Sequence, residues 1–416
     1  MTRFLCIACT ALALLTGCRD HTLAVCDITQ SDCQQDIYYT DLRVRGDGYD
    51  PFAGIPPIRT ISEDQYRTEL VDQAAKDAQQ AVPQPWWDAA LLLLGLVPST
   101  GTTQAASIDN EVQNTAAFYS TKERNVTVVS HPAGSTDPFQ PFYNMSALAH
   151  ELVHALQDRE LNLKFPPGTT DEYFASKALI EGDASLYQRL FGYNVTLPLG
   201  YHFTNHDPLV YFSTWRDANL TDQGDPTTNF ASLGPPFFAV QWLQYPLGGV
   251  WLSDRWDKGG NTAVRHAYGS APQRSLDYLL GPDVAAPAGK KIGCEPQPAA
   301  PAEFRNSGKA YGIDSFGAVY FFAYLMGWKV PGSDSLASAL LWRYDLLFVY
   351  YNQSTQKTAL AWRIELASPL PDSVLAPLTT PSGPRVVQTG TTLMITASDD
   401  PAFLANWNPG IACQPQ

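Results

Sequence analysis

The residues with the clearest chemistry stand together in His150-Glu151-Leu152-Val153-His154. On a helix, positions i and i+4 lie on the same face, so the imidazoles of His150 and His154 can bind one metal ion. Glu151, next to the first imidazole, can accept a proton from a water bound to that metal. The pattern therefore predicts a zinc site with Glu151 as general base. The residues that would give this helix a buried face are Leu148, Leu152, Ala155 and Leu156.

A catalytic zinc ion needs a third protein ligand and one open position. A histidine six positions after His154, as metzincins have, is excluded because Glu160 stands there and Gln157 replaces the glycine of that pattern. Glu181 is the strongest choice, because it lies on the next predicted helix among apolar neighbours that argue against a solvated face. The carboxylates that compete with it for this role are Asp171, Glu172 and Asp183.

Zinc held in this way would lower the pKa of its bound water from about 15.7 towards 7, and Glu151 would pass the water's proton to the leaving amine. Asp158 and Asp183 are both candidates for orienting an imidazole by a contact to the ring that does not involve the metal. The strand over 126–129, if it is the active-site edge, could align an extended peptide by main-chain hydrogen bonds. The predicted partner is therefore a peptide or protein substrate.

These motifs resemble the gluzincin branch of the zincin metallopeptidases, in which two helices supply H-E-x-x-H and a glutamate ligand. More closely, the chain resembles zinc metallopeptidases, often lipoproteins, of myxobacterial and Deinococcus-type bacteria. The similarity covers residues 61–280 and extends more weakly to 342–345. Besides 150–158, it rests on Gly95-Leu96-Val97-Pro98, Phe118-Tyr119 with the strand 126–129, Glu181-Gly182-Asp183-Ala184, and the stretch from Gly259-Gly260 through Ala267-Tyr268 to Pro272.

The resemblance implies an α+β, zincin-like fold with an active-site helix pair and a small mixed or antiparallel sheet, followed by a C-terminal strand-rich region. It also implies zinc-dependent hydrolysis of peptide bonds. The chain departs from the family at Tyr245-Pro246, where the order Pro-Tyr is expected. Despite this reversed order, Tyr245 is one candidate for stabilising the oxyanion. The other candidates are His202, His206 and His266.

Hydrophobic periodicity predicts the elements that carry these residues. The predicted helices are 61–82, 85–95, 144–161, 170–190, 237–245, 262–268 and 316–326. The predicted strands are a hairpin of 116–120 and 125–130, followed by 346–351, 359–366, 385–388 and 392–396. The chain is assigned a lipoprotein-type signal peptide (1–17), a tether (18–60), a catalytic domain (61–281), an Ala/Pro-rich connector (282–310) and a C-terminal helix and strand region (311–416).

The amino terminus is typical of an exported protein. A short apolar run ends in Leu15-Thr16-Gly17-Cys18, which resembles the recognition sequence of bacterial lipoproteins. Cys18 would then be the lipid-bearing first residue of the mature chain, anchoring it to the cell envelope without a membrane span. Because Arg19, and not Asp, follows the cysteine, we expect the outer membrane.

The cysteines that remain after export are Cys26, Cys33, Cys294 and Cys413, an even number in an oxidising compartment. Two disulfides are expected. The favoured pairs are Cys26 with Cys33, which closes a short loop, and Cys294 with Cys413.

Charge and composition narrow the function classes. The 27 Lys and Arg residues against 41 Asp and Glu residues give a formal charge of −14, and no basic block interrupts that balance. Nucleic acid is therefore not an expected partner, because phosphate binding needs clustered cations. Two other functions remain open: a surface lipoprotein that uses the fold only for binding, and a zinc amidase acting on a cell-wall amide. Glu151 argues against the first, because a structural zinc needs no general base.

Overall fold

The structure is a computed structural model. It describes residues 22–46, 54–80, 85–98, 108–109, 111–112, 115–131, 137–163, 168–200, 208–221, 230–285, 287, 292–293, 301, 304, 311–352, 354–380, 383–409 and 414–415. Helices and strands are mixed along the chain, so the fold belongs to the α+β class, as the sequence predicted.

Within these residues the main helices are α1 (Ser31–Arg45), α2 (Glu63–Gln80), α3 (Pro85–Leu93), α4 (Gln140–Leu161), α5 (Thr170–Gly192), α6 (Pro208–Leu220), α7 (Pro236–Ala267), α8 (Ser275–Leu280), α9 (Gly317–Gly327), α10 (Gly332–Ala339), α11 (Asp372–Leu378) and α12 (Pro401–Asn406). The strands are β1 (Leu23–Ala24), β2 (Ile58–Ser62), β3 (Ala117–Ser120), β4 (Asn125–Ser130), β5 (Val195–Thr196), β6 (Ile292–Gly293), β7 (Tyr311–Asp314), β8 (Trp342–Asn352), β9 (Lys357–Leu366), β10 (Arg385–Thr389), β11 (Thr392–Ser398) and β12 (Gln414–Pro415).

The chain divides into two compact units, each assembled from separate segments. The first unit comprises Met1–Ser62, Ala116–Asp158 and Tyr187–His206. The second comprises Glu63–Thr115, Arg159–Leu186 and Asp207–Gln416. The predicted domains are contiguous in sequence and do not follow this division. In particular, the C-terminal strands share a unit with α6 and α7.

The first unit contains a three-stranded sheet in the order β2-β4-β3. Its strand β4 pairs in parallel with β2 and antiparallel with β3, so the predicted hairpin is present and the sheet is mixed. The buried valines Val126, Val128 and Val129 make β4 the apolar centre of this sheet, as β-branched residues favour. The condition that 126–129 forms a sheet edge is therefore not met, and β3 is an edge strand.

Helix α1 replaces part of the predicted tether. Cys33, Ile37 and Leu42 are buried along it, and Gly46 ends it in the left-handed conformation with φ 71°. Cys26 forms a disulfide with Cys33, which confirms that predicted pair. Residues 31–45 thus belong to the hydrophobic core of the first unit. The second predicted pair, Cys294 with Cys413, and the lipid-bearing Cys18 lie outside the described residues.

Helices α4 and α5 agree closely with the predicted helices 144–161 and 170–190. One face of α4 is apolar and packs in the same core as the valines of β4 and Ile37 of α1. The buried residues of that face include Met145, Leu148, Leu152 and Leu156. This burial fixes the rotation of α4 about its own axis. The histidines therefore lie on the opposite side of the helix from its hydrophobic stripe.

The second unit contains a five-stranded antiparallel sheet in the order β10-β11-β9-β8-β7. Its core is aromatic: the fully buried Trp362 lies edge-on to Phe316, Phe321 and Tyr324 at centroid distances of 5.4 to 6.1 Å. These contacts join α9 to the sheet, as the predicted C-terminal helix and strands imply. The predicted helices 237–245 and 262–268 are parts of α7, whose backbone leaves helical geometry at Gly259 and Gly260.

Asp345 ties helix α9 to this sheet. Its carboxylate accepts hydrogen bonds from the N–H groups of Phe316 and Gly317, at 2.9 and 3.0 Å, and from the indole of Trp362 at 2.6 Å. The backbone donors belong to the start of α9, where a helix favours negative charge. Burial nevertheless raises the pKa of Asp345.

A second buried carboxylate, Asp171, lies in the first turn of helix α5. It accepts hydrogen bonds from the N–H (3.0 Å) and the hydroxyl of Ser275, the first residue of α8. Burial raises the pKa of Asp171 to about 7 against the lowering effect of these bonds, while the charge of Asp345 raises it and Arg274 lowers it. Asp171 thus belongs to the packing of the second unit.

None of the described helices is long and apolar enough to span a membrane.

Candidate metal centre

The two histidines of the motif face each other on α4. The Nε2 atoms of His150 and His154 lie 3.1 Å apart, and the ring planes are nearly perpendicular. Two nitrogens bound tetrahedrally to zinc at 2.0–2.1 Å lie about 3.3 Å apart. The imidazoles are therefore close to the separation that one shared metal ion requires.

The other ring nitrogens face side-chain amides. His154 Nδ1 lies 2.8 Å from Gln157 Oε1, and His150 Nδ1 lies 3.2 Å from Gln188 Oε1. An amide oxygen accepts hydrogen bonds, so each of these contacts is a hydrogen bond in the tautomer that carries the proton on Nδ1 and a lone pair on Nε2. In this tautomer the two Nε2 atoms, 3.1 Å apart, both present a lone pair that a shared cation can accept. The geometry of the rings thus fits a bound cation.

Glu181 completes the group. One ligand atom from each of His150, His154 and Glu181 lies within 4.8 Å of the others, so these three residues could hold a metal ion. Glu181 is 6% exposed and stands on α5 seven residues before Gln188, which is two helical turns and nearly the same face. The continuous helix therefore carries both the carboxylate and the amide partner of His150.

The donor set suits zinc. Two imidazoles and one carboxylate are the ligands of catalytic zinc sites, in which a fourth position stays open. Thiolate ligands are absent from this group, which does not favour copper(I) or iron–sulfur chemistry. A lysine also reaches the carboxylate: Lys177 Nζ lies 2.8 Å from Glu181 Oε1, one turn earlier on α5.

A close helix crossing accounts for the glycine after Glu181. A Cβ atom on Gly182 would collide with the backbone of Gly248 on α7, and one on Gly248 would collide with the carbonyl of Ala178. Helices α5 and α7 therefore approach to backbone contact at this point. The crossing holds the turn of α5 that bears Glu181, so its position does not depend on side-chain packing alone.

Glu151 is half-buried and is held by the edge strand β3. Its Oε2 accepts a hydrogen bond from the backbone N–H of Tyr119 at 2.8 Å. Because β4 pairs with the opposite side of β3, this N–H belongs to the free edge of the sheet. The carboxylate thus lies beside an open strand edge and next in sequence to His150 of the candidate metal centre.

Asp158 and Asp183, the predicted imidazole partners, have other contacts. The Asp158 carboxylate accepts a hydrogen bond from the Tyr119 hydroxyl at 2.8 Å and forms an ion pair with Arg124 at 3.5 Å. Burial, together with that hydrogen bond, raises the pKa of the Tyr119 phenol, which keeps it a neutral donor. Asp183 accepts a hydrogen bond from Tyr268 at 2.7 Å. The imidazole-orienting groups in the structure are amides.

The other predicted residues were competing metal ligands or candidates for stabilising the oxyanion. Of the competing ligands, Asp171 is bound to Ser275, and Glu172 is exposed and accepts a hydrogen bond from the Thr169 N–H. The oxyanion candidate Tyr245 packs against Trp215 and Trp242, at centroid distances of 6.5 and 5.8 Å. His266 is exposed near the end of α7, and His202 and His206 lie outside the described residues.

The sequence reasoning missed three residues of the site, each of which carried a usable signal. Gln157 stands three residues after His154, where a helical side chain meets its neighbour. Gln188 is seven residues after Glu181 and shares its face. Tyr119 belongs to the Phe118-Tyr119 motif of the sequence analysis. Its hydrogen bond to Glu151 depends on β3 being the edge strand, whereas the sequence analysis considered the strand over 126–129 for that edge.

Comparison of the chain with models of known protein families, with curated proteins and with solved structures found no match. Its class is therefore defined by its own features: an α+β protein with a His-His-Glu group that could hold a metal ion.

Proposed function

We propose that the chain is a zinc-dependent metallopeptidase of the gluzincin kind, with a zincin-like catalytic fold. The observation that carries the proposal is the convergence of His150, His154 and Glu181, with Glu151 beside them on the free edge of β3. A structural zinc site has no use for such a carboxylate, whereas hydrolysis needs one.

When bound, zinc supplies a Lewis acid and a water of lowered pKa. Glu151 accepts the proton of the attacking water through one carboxylate oxygen, while the Tyr119 N–H donates to the other. This hydrogen bond fixes the carboxylate in orientation. After attack on the carbonyl, Glu151 passes the proton to the leaving nitrogen, so the peptide bond breaks as an amine and an acid.

Strand β3 offers a way to align the substrate. An extended peptide can add to a free sheet edge through main-chain hydrogen bonds, which require no particular side chains. Residues on opposite strands of an antiparallel ladder alternate between hydrogen-bonded and non-hydrogen-bonded pairs. Ala117 and Tyr119 belong to the non-hydrogen-bonded pairs with β4, so their peptide groups face the free edge. A scissile bond aligned there would lie next to Glu151, which favours a peptide or protein substrate.

A second candidate function is hydrolysis of a cell-wall amide, because the same carboxylate and metal ligands serve any amide carbonyl. The amino-terminal sequence supports export and a lipid on Cys18, which places either substrate within reach of the enzyme. Unfolded casein and purified peptidoglycan, offered side by side to the zinc-loaded mature protein, distinguish the two.

The proposal is tested by two substitutions with different expected effects. Glu151→Gln should keep zinc and fold but lose nearly all hydrolysis, because an amide cannot take the proton. Glu181→Ala should lower the zinc content itself. The matched control is Glu172→Gln, an exposed carboxylate on the same helix as Glu181.

Metal analysis of the purified mature protein should give about one zinc per chain. A content near zero in protein never exposed to a chelator, together with no gain of activity on adding zinc, would remove the basis of the proposal. Activity that survives Glu151→Gln at the wild-type level would exclude this residue as the base.

A further inference from the structure

Both ligand histidines are held by glutamine amides, and neither of these contacts uses a carboxylate. Histidine ligands commonly donate their second N–H to a carboxylate, a backbone carbonyl or water, and this partner sets the tautomer and raises the basicity of the ring. We propose that Gln157 and Gln188 are positioning residues that lock His154 and His150 in the Nδ1–H tautomer and so prepare both Nε2 atoms for zinc. The inference deepens the proposed function and rests on it.

Gln157 is placed to make the stronger contact. Its side chain is fully buried on α4 and its Oε1 lies 2.8 Å from His154 Nδ1. Burial removes competing water, so the hydrogen bond is stronger than it would be in solvent. The three-residue spacing on one helix also keeps the two side chains adjacent without help from another element.

Gln188 makes the corresponding contact from another helix. It is half-buried on α5, and its Oε1 lies 3.2 Å from His150 Nδ1. Because Glu181 stands two turns earlier on the same helix, the amide links the orientation of His150 to the element that carries the third ligand. The longer distance predicts a smaller effect than that of Gln157.

The choice of amides has a chemical consequence. A neutral partner accepts the Nδ1 proton without adding charge, whereas a carboxylate partner polarises the ring and makes Nε2 a better donor to the metal. Removing either acceptor should therefore weaken zinc binding, because the ring is then free to take the tautomer with a proton on Nε2. Restoring an oxygen of the same reach should recover the affinity.

The test compares variants that keep the size of the side chain. Gln157→Met has no oxygen acceptor, and its zinc affinity, measured by competition with a chelator, should fall by about 10- to 100-fold. Gln157→Glu restores the acceptor and should bind zinc at least as tightly as the wild type. Gln188→Met should show a smaller loss. The control is Gln140→Met, a half-buried glutamine on α4 that bonds to Asn144.

A second readout does not depend on metal. Nitrogen NMR of the metal-free protein, at a pH where imidazoles are neutral, reports which ring nitrogen carries the proton. His150 and His154 should both be Nδ1–H in the wild type. In Gln157→Met, His154 should become a mixture of tautomers while His150 stays unchanged, and Gln188→Met should give the reverse result.

The outcomes separate the two proposals. Unchanged tautomers and unchanged zinc affinity in both methionine variants would overturn the positioning role while leaving the metallopeptidase proposal intact. A wild-type protein that binds no zinc would defeat the proposed function, yet the tautomers of the metal-free protein would still decide whether the amides position the rings. If Gln157→Met fails to fold, the half-buried Gln188→Met carries the same comparison.

Discussion

Replacing Asp171 with asparagine should stabilise the second unit at alkaline pH and have much less effect in mild acid. Burial raises the pKa of this carboxyl from 3.8 to about 7, so the folded protein retains a proton that the unfolded chain loses between these values. Because the native state binds more protons there, stability falls as the pH rises from about 4 to about 7. Above that range the Asp171 carboxyl is ionised in both states, and the folded state carries the full free-energy cost of this buried charge.

The size of the cost follows from the two pKa values. A difference of about three pH units at 1.36 kcal/mol each is about 4 kcal/mol at pH 8, of which about 1.7 kcal/mol is already present at pH 5. Asparagine keeps an oxygen for the N–H and hydroxyl of Ser275 and never ionises. It gives up about 0.3–1 kcal/mol from a negative charge at the start of α5. The variant should therefore be about 3 kcal/mol more stable than the wild type at pH 8.

Urea unfolding at pH 5 and pH 8, followed by tryptophan fluorescence, measures this difference. The gap between Asp171→Asn and the wild type should widen by about 2–3 kcal/mol between the two pH values. Glu172→Gln removes a negative charge from the same helical turn at an exposed position and should show no such widening. If Asp171→Asn destabilised the protein equally at both pH values, the carboxyl would be ionised in the native state and the burial argument would be wrong.

Three further predictions concern the helices that carry the candidate metal centre. Gly182→Ala should cost about 1–3 kcal/mol or prevent folding, because its Cβ meets the backbone of Gly248; Gly269→Ala, whose Cβ has open space, should be neutral in the same urea titration. Lys177→Met should raise zinc affinity several-fold in chelator competition, because the lysine ammonium beside Glu181 repels a second cation. Equal affinities of the variant and the wild type would mean that the lysine moves away when metal binds. Removing zinc should lower the melting temperature by several degrees, because a ligand at a thousandfold its Kd contributes about 4 kcal/mol to the free energy of unfolding. Identical melting curves with and without chelator would show that the scaffold is preorganised without metal.

Local patterns in the sequence predicted local structure well. The hairpin of β3 and β4 and the helices α4 and α5 follow from side-chain periodicity, which depends only on near neighbours. The position of β4 inside its sheet could not be predicted in this way. It depends on β2, a segment more than 60 residues earlier in the chain, whose parallel pairing leaves no turn signature.

Helix α1 shows a different limit of prediction from the sequence. Its apolar residues have helical spacing, but polar residues dominate the segment and glycine and proline follow closely, so composition favoured a tether. Burial in the core and the Cys26–Cys33 disulfide stabilise this helix, and both depend on the folded protein. In the same way, Glu181 could be nominated from one helix pattern, whereas its amide neighbour Gln188 required the meeting of two helices.

The early start of folded structure would keep the protein close to a membrane if its amino terminus carries a lipid. Leu23 already donates its N–H to the carbonyl of Asn194 at 2.7 Å, as part of the pairing of β1 with β5. At no more than about 3.6 Å per residue, the chain from Cys18 to Thr22 reaches about 14 Å, less than half the thickness of a bilayer's hydrocarbon core. If Cys18 carries the proposed lipid, this segment is too short for the protein to move far from the bilayer, and the first unit would rest on the lipid surface. Its substrates would then be chains that come within a few nanometres of that surface.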